Sequence, residues 1–148
     1  MKTDIKSRAD IERIVQHFYH ELLRDEGMNF YFGEAFRAKL PDHLSRMCDY
    51  WENSLFHTGN YQGNPMISHQ HLHQQKKLEP EHFMNWLKCF HASIDSLYEG
   101  FMADQLKLRS RNIGYLMQAR VLNQPPDEAA YEAMLPNIAP PPTTGTKQ

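Results

Sequence analysis

The chain is poor in the features that mark most specialised protein classes. Only two of its 148 residues are cysteines, Cys48 and Cys89. They stand far apart and form no Cys-x-x-Cys pattern, so a disulfide framework is not expected and a reducing cytoplasm is the default compartment. No run of about 18 apolar residues occurs, which excludes a helix spanning a membrane. The opening residues, Met1-Lys2-Thr3-Asp4-Ile5-Lys6, lack the apolar core of a signal peptide. Basic runs and stripes are missing and the formal charge is only −2, which argues against nucleic acid or an acidic membrane as the main partner. No internal repeat and no convincing pair of strands is found. What remains is a composition of 41% hydrophobic and 11% aromatic residues, enough for a packed core without disulfides. The anomaly is nine histidines, whose charge responds to pH near neutrality.

Helical spacing dominates the pattern. Ile11, Ile14, Val15, Phe18, Tyr19, Leu22 and Leu23 fall on one face of a helix over 9–25, with Asp10 as its N-cap and Gly27 as its stop. Phe30, Tyr31, Phe32, Phe36 and Leu40 suggest one or two helical turns within 28–40 that pack aromatics inward. Pro41 opens a helix over 42–57 whose stripe is Leu44, Met47, Cys48, Trp51 and Leu55, with His43 one turn before Met47. Gly59, Gly63 and Pro65 make 58–65 a loop. Residues 66–78 are polar and histidine-rich, a short helix or an irregular segment. Pro80 suits the first turn of a long helix over 80–102 carrying Phe83, Trp86, Leu87, Phe90, Ile94, Leu97, Tyr98 and Phe101. A last long helix, 104–122, carries Leu106, Ile113, Leu116, Met117 and Val121, and Pro125-Pro126 stop it. A marginal helix over 125–135 precedes a run containing Pro140-Pro141-Pro142-Thr143-Thr144-Gly145, which reads as flexible. The fold class is all-α, with one domain over 1–124 and a Pro-rich C-terminal tail over 125–148.

The histidines raise the question of a metal. Taken singly, each fits a surface or satisfied core position, and Tyr19, Trp51 and Trp86 fit a core. In the triplet His69-x-His71-x-His73, alternate residues do not share a helix face, so at most two point the same way. A zinc or nickel site, in a hydrolase or a sensor, is one reading; zinc would require three or four nitrogen or oxygen ligands in tetrahedral array. No His-x-x-x-His or Glu-x-x-His pair is expected on one face among the core positions, and Glu79 with His82 comes closest.

The joint order is more specific than any member. Phe18-Tyr19, Phe32, His43 with Met47 and Trp51, Tyr61-Gln62-Gly63-Asn64-Pro65, His69, and His82-Phe83-Met84-Asn85-Trp86-Leu87 follow one another. In this order the chain resembles the truncated haemoglobins of group III, over about residues 9–120. The spacing Trp51…Tyr61-x-Gly63-x-Pro65-x-x-x-His69 carries most of the likeness, and the Gly-Gly pairs of the other truncated groups are absent. The resemblance implies a globin-like two-over-two helical sandwich around haem b (iron protoporphyrin IX). It implies His69 as the proximal iron ligand, Tyr19, His43, Met47 and Trp86 on the distal side, Phe32 wedged against the porphyrin, and Trp51 on the helix covering the distal face. It further implies reversible binding of O₂, CO, NO or a similar diatomic, with Tyr19, His43 and Trp86 as hydrogen-bonding groups, NO or peroxide chemistry beside it, and a reductase as partner.

Overall fold

A computed structural model of the chain describes residues 1–29, 32–59, 61 and 63–136. Phe30 and Tyr31, the Phe36 side chain and the Pro-rich residues 137–148, all subjects of the expectations above, lie outside what is described. Among the described residues the regular structure is helical throughout. The elements are α1 (Arg8–Arg24), α2 (Glu26–Asn29), α3 (Glu34–Ala38), α4 (Leu40–Phe56), α5 (Pro65–Gln75), α6 (Pro80–Leu97), α7 (Phe101–Leu122) and α8 (Glu128–Glu132). The pair α1 and α4 stacks on the pair α6 and α7, through α1 on α6 and α4 on α7, while α5 packs on α7. This is the two-over-two sandwich.

Apolar periodicity determines these contacts. Ile11, Ile14, Val15, Phe18, Tyr19 and Leu22 bury one face of α1, and Phe83, Leu87, Phe90 and Ile94 bury one face of α6. Each fully buried aliphatic or aromatic side chain contributes about 1.5–3 kcal/mol through removal of apolar surface from water. Arg8, at the start of α1, reaches the carboxylates of Asp49 (2.5 Å) and Glu52 (3.0 Å) on α4 and so fixes the first pair at one end.

Several helix ends differ from expectation, each for a local reason. Helix α1 begins at Arg8, behind Ser7. Asp10 is therefore not its cap: its carboxylate accepts the Lys6 N–H (2.7 Å) and the Tyr98 hydroxyl (2.8 Å). Gly27 does not stop α1, which ends at Arg24; the Asp25 carboxylate accepts the Met28 N–H and starts α2, which contains Gly27. The polar segment 65–75 is a regular helix, because the Asn64 side chain accepts the Met66 N–H at 2.9 Å and Pro65 occupies the first turn.

The largest revision concerns 98–103. The helix expected to run to 102 ends at Leu97, and Phe101 belongs to α7. Its cause lies far upstream in Asp4, whose carboxylate accepts the Met102 N–H and the Ala103 N–H, both at 2.9 Å. The Thr3 carbonyl also accepts the Glu99 N–H at 3.0 Å. Gly100 turns the chain at φ 139°, and a Cβ there would stand 2.5 Å from Asp4 Cγ. The N-terminal segment thus caps α7 in place of a local residue.

At the other end, residues 127–136 do not project from the domain. Tyr131 of α8 is 1% exposed. Its hydroxyl donates to Gln118 Oε1 (2.7 Å), and its carbonyl accepts from Arg111 Nε (3.0 Å). Tyr131 lies against Gly114 of α7, which Trp86 also meets; a Cβ there would fall 3.5 Å from the indole and 3.8 Å from the phenol ring. Leu116, read as part of the apolar face of α7, is 47% exposed.

Replacing Asp4 with Ala should lower the unfolding free energy by roughly 1–2 kcal/mol, the worth of a helix N-cap. Urea unfolding with an unchanged midpoint would show that α7 starts without this carboxylate.

Candidate functional site

Helices α1, α4, α5, α6 and α7 leave between them a cavity of about 350 Å³, within the range of cofactor and ligand pockets, roughly 300–1,000 Å³. Tyr19, Phe32, His43, Met47, Trp51, His69 and Trp86, the residues singled out in the sequence, all line it. The helical repeat explains the grouping on α4: His43, Met47 and Trp51 are spaced by four and face one way. Arg46 and Tyr50 line the cavity too. Sequence reasoning passed over both, although each lies three residues beyond one of the chosen positions. The remaining wall is largely apolar, with Leu22, Leu72, Phe83, Ile113 and Met117 among its members.

On one side, Tyr19 brings its hydroxyl within 2.6 Å of His43 Nε2. Burial, then the charge of Arg46 and the proximity of His69, hold His43 down at about 4, so the imidazole is neutral near pH 7. Burial pushes the Tyr19 phenol upward, and it keeps its proton. A neutral imidazole carries one N–H. In one tautomer the phenol donates to Nε2; in the other, Nε2–H donates to the phenol oxygen and leaves the phenolic proton for a third group. Trp86 borders the same space, and among the described residues its indole N–H has no hydrogen-bond partner.

Helix α5 supplies His69. Its Nδ1–H donates to the Pro65 carbonyl, one turn back, at 2.8 Å. This bond fixes the tautomer and leaves Nε2 with a lone pair on a ring that lines the cavity. Burial lowers the proton affinity of His69 against the opposing pull of that carbonyl, so this ring also favours the neutral form.

The other histidines of the region have different work. His71 borders the cavity from a more exposed position. His73 does stand four residues from His69 on α5, a pair the sequence reading overlooked. Its Nδ1, however, accepts the Leu78 N–H (2.9 Å) and closes the turn after the helix. His82 Nδ1 accepts the Glu79 N–H (2.9 Å) and caps α6, so the Glu79–His82 pair serves the backbone. Among the described residues no three His, Cys, Asp or Glu side chains converge on one point. The tetrahedral zinc or nickel alternative therefore finds no ligand set among the described residues.

The donor set itself tests whether haem suits this cavity. A metal ion held by a single imidazole must bring its remaining ligands with it, and a porphyrin brings four in one plane. One neutral histidine with a directed lone pair, apolar walls, and hydrogen-bonding groups from α1, α4 and α6 fit such a group.

Comparison with known proteins agrees with this geometry. The family model described as bacterial-like globin matches residues 4–118. The chain is 24% identical over 116 residues to the group 3 truncated hemoglobin ctb of Campylobacter jejuni, an alignment covering 76% of this chain and 89% of the relative. Its fold superposes on the crystal structure of the group III truncated hemoglobin from Campylobacter jejuni with a TM-score of 0.73 at 23% identity, covering 82% of this chain and 95% of that one.

The His43 value has a checkable consequence in the protein before hemin is added. The folded chain binds the His43 proton less readily than the unfolded chain does. The unfolded chain thus holds more protons between about pH 6.5 and about 4. The corresponding stability is complete above pH 6.5 and is lost as pH falls through the folded value. NMR titration of the His43 ring should give a midpoint of about 4, and the urea midpoint should fall on acidification across the same window. Titration at the unperturbed value of about 6.5 would show that the ring is open to water.

Proposed function

We propose, given that the chain belongs to the bacterial-like globin family, that it is a group III truncated haemoglobin that holds haem b in this cavity and reversibly binds O₂, CO, NO or a similar diatomic. The observation that carries the proposal is the His69–Pro65 hydrogen bond, which leaves one neutral imidazole nitrogen to serve as a metal ligand on a cavity wall. When bound, haem supplies an iron centre able to take up a diatomic ligand.

The chain's own residues then set the behaviour of that ligand. His69 ligates and orients. Phe32, Met47 and Trp51 exclude water and confine the flat ring. Tyr19, in the tautomer where His43 donates to it, offers a phenolic proton to a ligand that has drawn negative charge; Trp86 offers its indole N–H. In a water-poor cavity these bonds strengthen, and each must break before the ligand leaves, so slow release follows. Slow release suits storage, sensing or redox chemistry better than delivery.

A second reading, reduction of a peroxide, draws on one further observation. His43 is a neutral base held within hydrogen-bond reach of a phenol, the arrangement needed to take a proton from one peroxide oxygen and return it to the other. A reductase that keeps the iron reduced is the expected partner for O₂ binding. No helix among the described residues is long and apolar enough to cross a membrane; a cytoplasmic setting is part of the proposal.

His69→Ala should lose tight hemin binding, read as loss of the Soret band after gel filtration; full retention would remove His69 from the ligand role. Tyr19→Phe should raise the O₂ dissociation rate about tenfold or more, the worth of one hydrogen bond to a charged group. Stopped-flow rates equal to the parent would reject the donor role of the phenol.

A further inference from the structure

The cavity wall continues outward as a line of touching rings. Trp51, 1% exposed, stacks on Phe90 (centroids 5.0 Å apart), and Phe90 stacks on Trp86 (5.8 Å). On the outer side, Tyr50 meets Trp51 edge to face at 4.8 Å, and Tyr61 meets Tyr50 edge to face at 5.1 Å. Trp51 and Tyr50 border the cavity, whereas Tyr61 does not; it stands half-buried on the loop after α4. Tryptophan and tyrosine are the aromatic side chains that most readily give up one electron. Here three of them stand in unbroken contact from cavity to surface. Packing alone does not require this choice. Phenylalanine would fill the positions of Tyr50 and Tyr61 without the cost of burying a hydroxyl, and burial pushes both phenols above their ordinary range.

We infer that Trp51, Tyr50 and Tyr61 form a relay that carries one-electron oxidising equivalents from the cavity to the protein surface, where a small one-electron donor is consumed. The inference rests on the haem and peroxide reading above. The balance is as follows. A peroxide in the cavity loses its O–O bond, takes up two electrons and two protons, and leaves as two waters. Each electron arrives through Trp51 and Tyr50 from Tyr61. On giving up an electron, Tyr61 releases its phenolic proton to solvent and becomes a neutral phenoxyl radical. A donor of the ascorbate or phenol class then returns one electron and one proton. One peroxide and two donors thus give two waters and two one-electron-oxidised donors. The radical rests on Tyr61 because, of the three rings, its phenol is the one set on a loop beyond the cavity wall.

The test uses the full hemin-loaded chain, hydrogen peroxide and a nitroso spin trap, with trap adducts located by peptide mass spectrometry and counted per hemin bound. In the parent, Tyr61 should carry the adduct. Tyr61→Phe, outside the cavity wall, should keep the Soret band and lose that adduct. Tyr50→Phe, which keeps the ring and removes only the hydroxyl, should also lose the adduct at Tyr61. An adduct on Tyr61 undiminished in Tyr50→Phe overturns the relay, as do adducts confined to Tyr19 or Trp86; both results leave haem binding standing. A parent chain that shows no Soret band after hemin addition overturns the haem reading and the relay together.

Discussion

The bond from His69 Nδ1–H to the Pro65 carbonyl organises the site. An imidazole has two nitrogens, and a metal can use one only if the proton is kept on the other. Here the helix does this itself. Pro65 opens α5, its carbonyl lies one turn before His69, and Asn64 holds the first turn in place. The Gly/Pro-punctuated loop before it therefore determines both where α5 begins and which atom of His69 faces the cavity. Elsewhere on the cavity wall, a neutral His43 shares a hydrogen bond with Tyr19 instead of holding a charge.

Much of this was legible in the sequence because it depends on short-range spacing. The apolar faces of α1, α4 and α6 follow the helical repeat, and the same repeat brings His43, Met47 and Trp51 to one face. The order of aromatic and histidine positions was specific enough to resemble a family. Where the reading failed, the deciding partner was distant in sequence. Gly100 is the one local sign that α6 must stop, and it was read through as helix; the carboxylate that caps α7 belongs to the distant Asp4. Nothing in 127–136 announces burial of Tyr131, since Gln118 and Arg111 receive it. The histidines show the same division. His69 was singled out by the family resemblance, in which its spacing from Pro65 takes part, whereas the backbone roles of His73 and His82 depend on turns that residue type alone does not reveal.

Many cavity-lining aromatics serve the scaffold as well. Phe90 holds Trp51 on one side and Trp86 on the other, with planes 26° and 1° from parallel, and Phe18 meets Phe90, Trp86 and Tyr19 edge-on. Stacked and edge-on pairs of this kind add roughly 0.5–1.5 kcal/mol beyond the area they bury. The cavity lining is thus backed by rings whose positions are set by the α1–α6 contact.

The glycine at 114 gives this bracing a longer reach. With hydrogen as its only side chain, it leaves a bare face of backbone on which two rings converge: a Cβ there would stand 3.5 Å from the indole of Trp86 and 3.8 Å from the phenol ring of Tyr131. The cavity and α8 are neighbours there, through one ring that lines the first and one that anchors the second. A shift in the seating of α8 is therefore felt at a ring of the cavity wall, although the two elements are far apart in the chain.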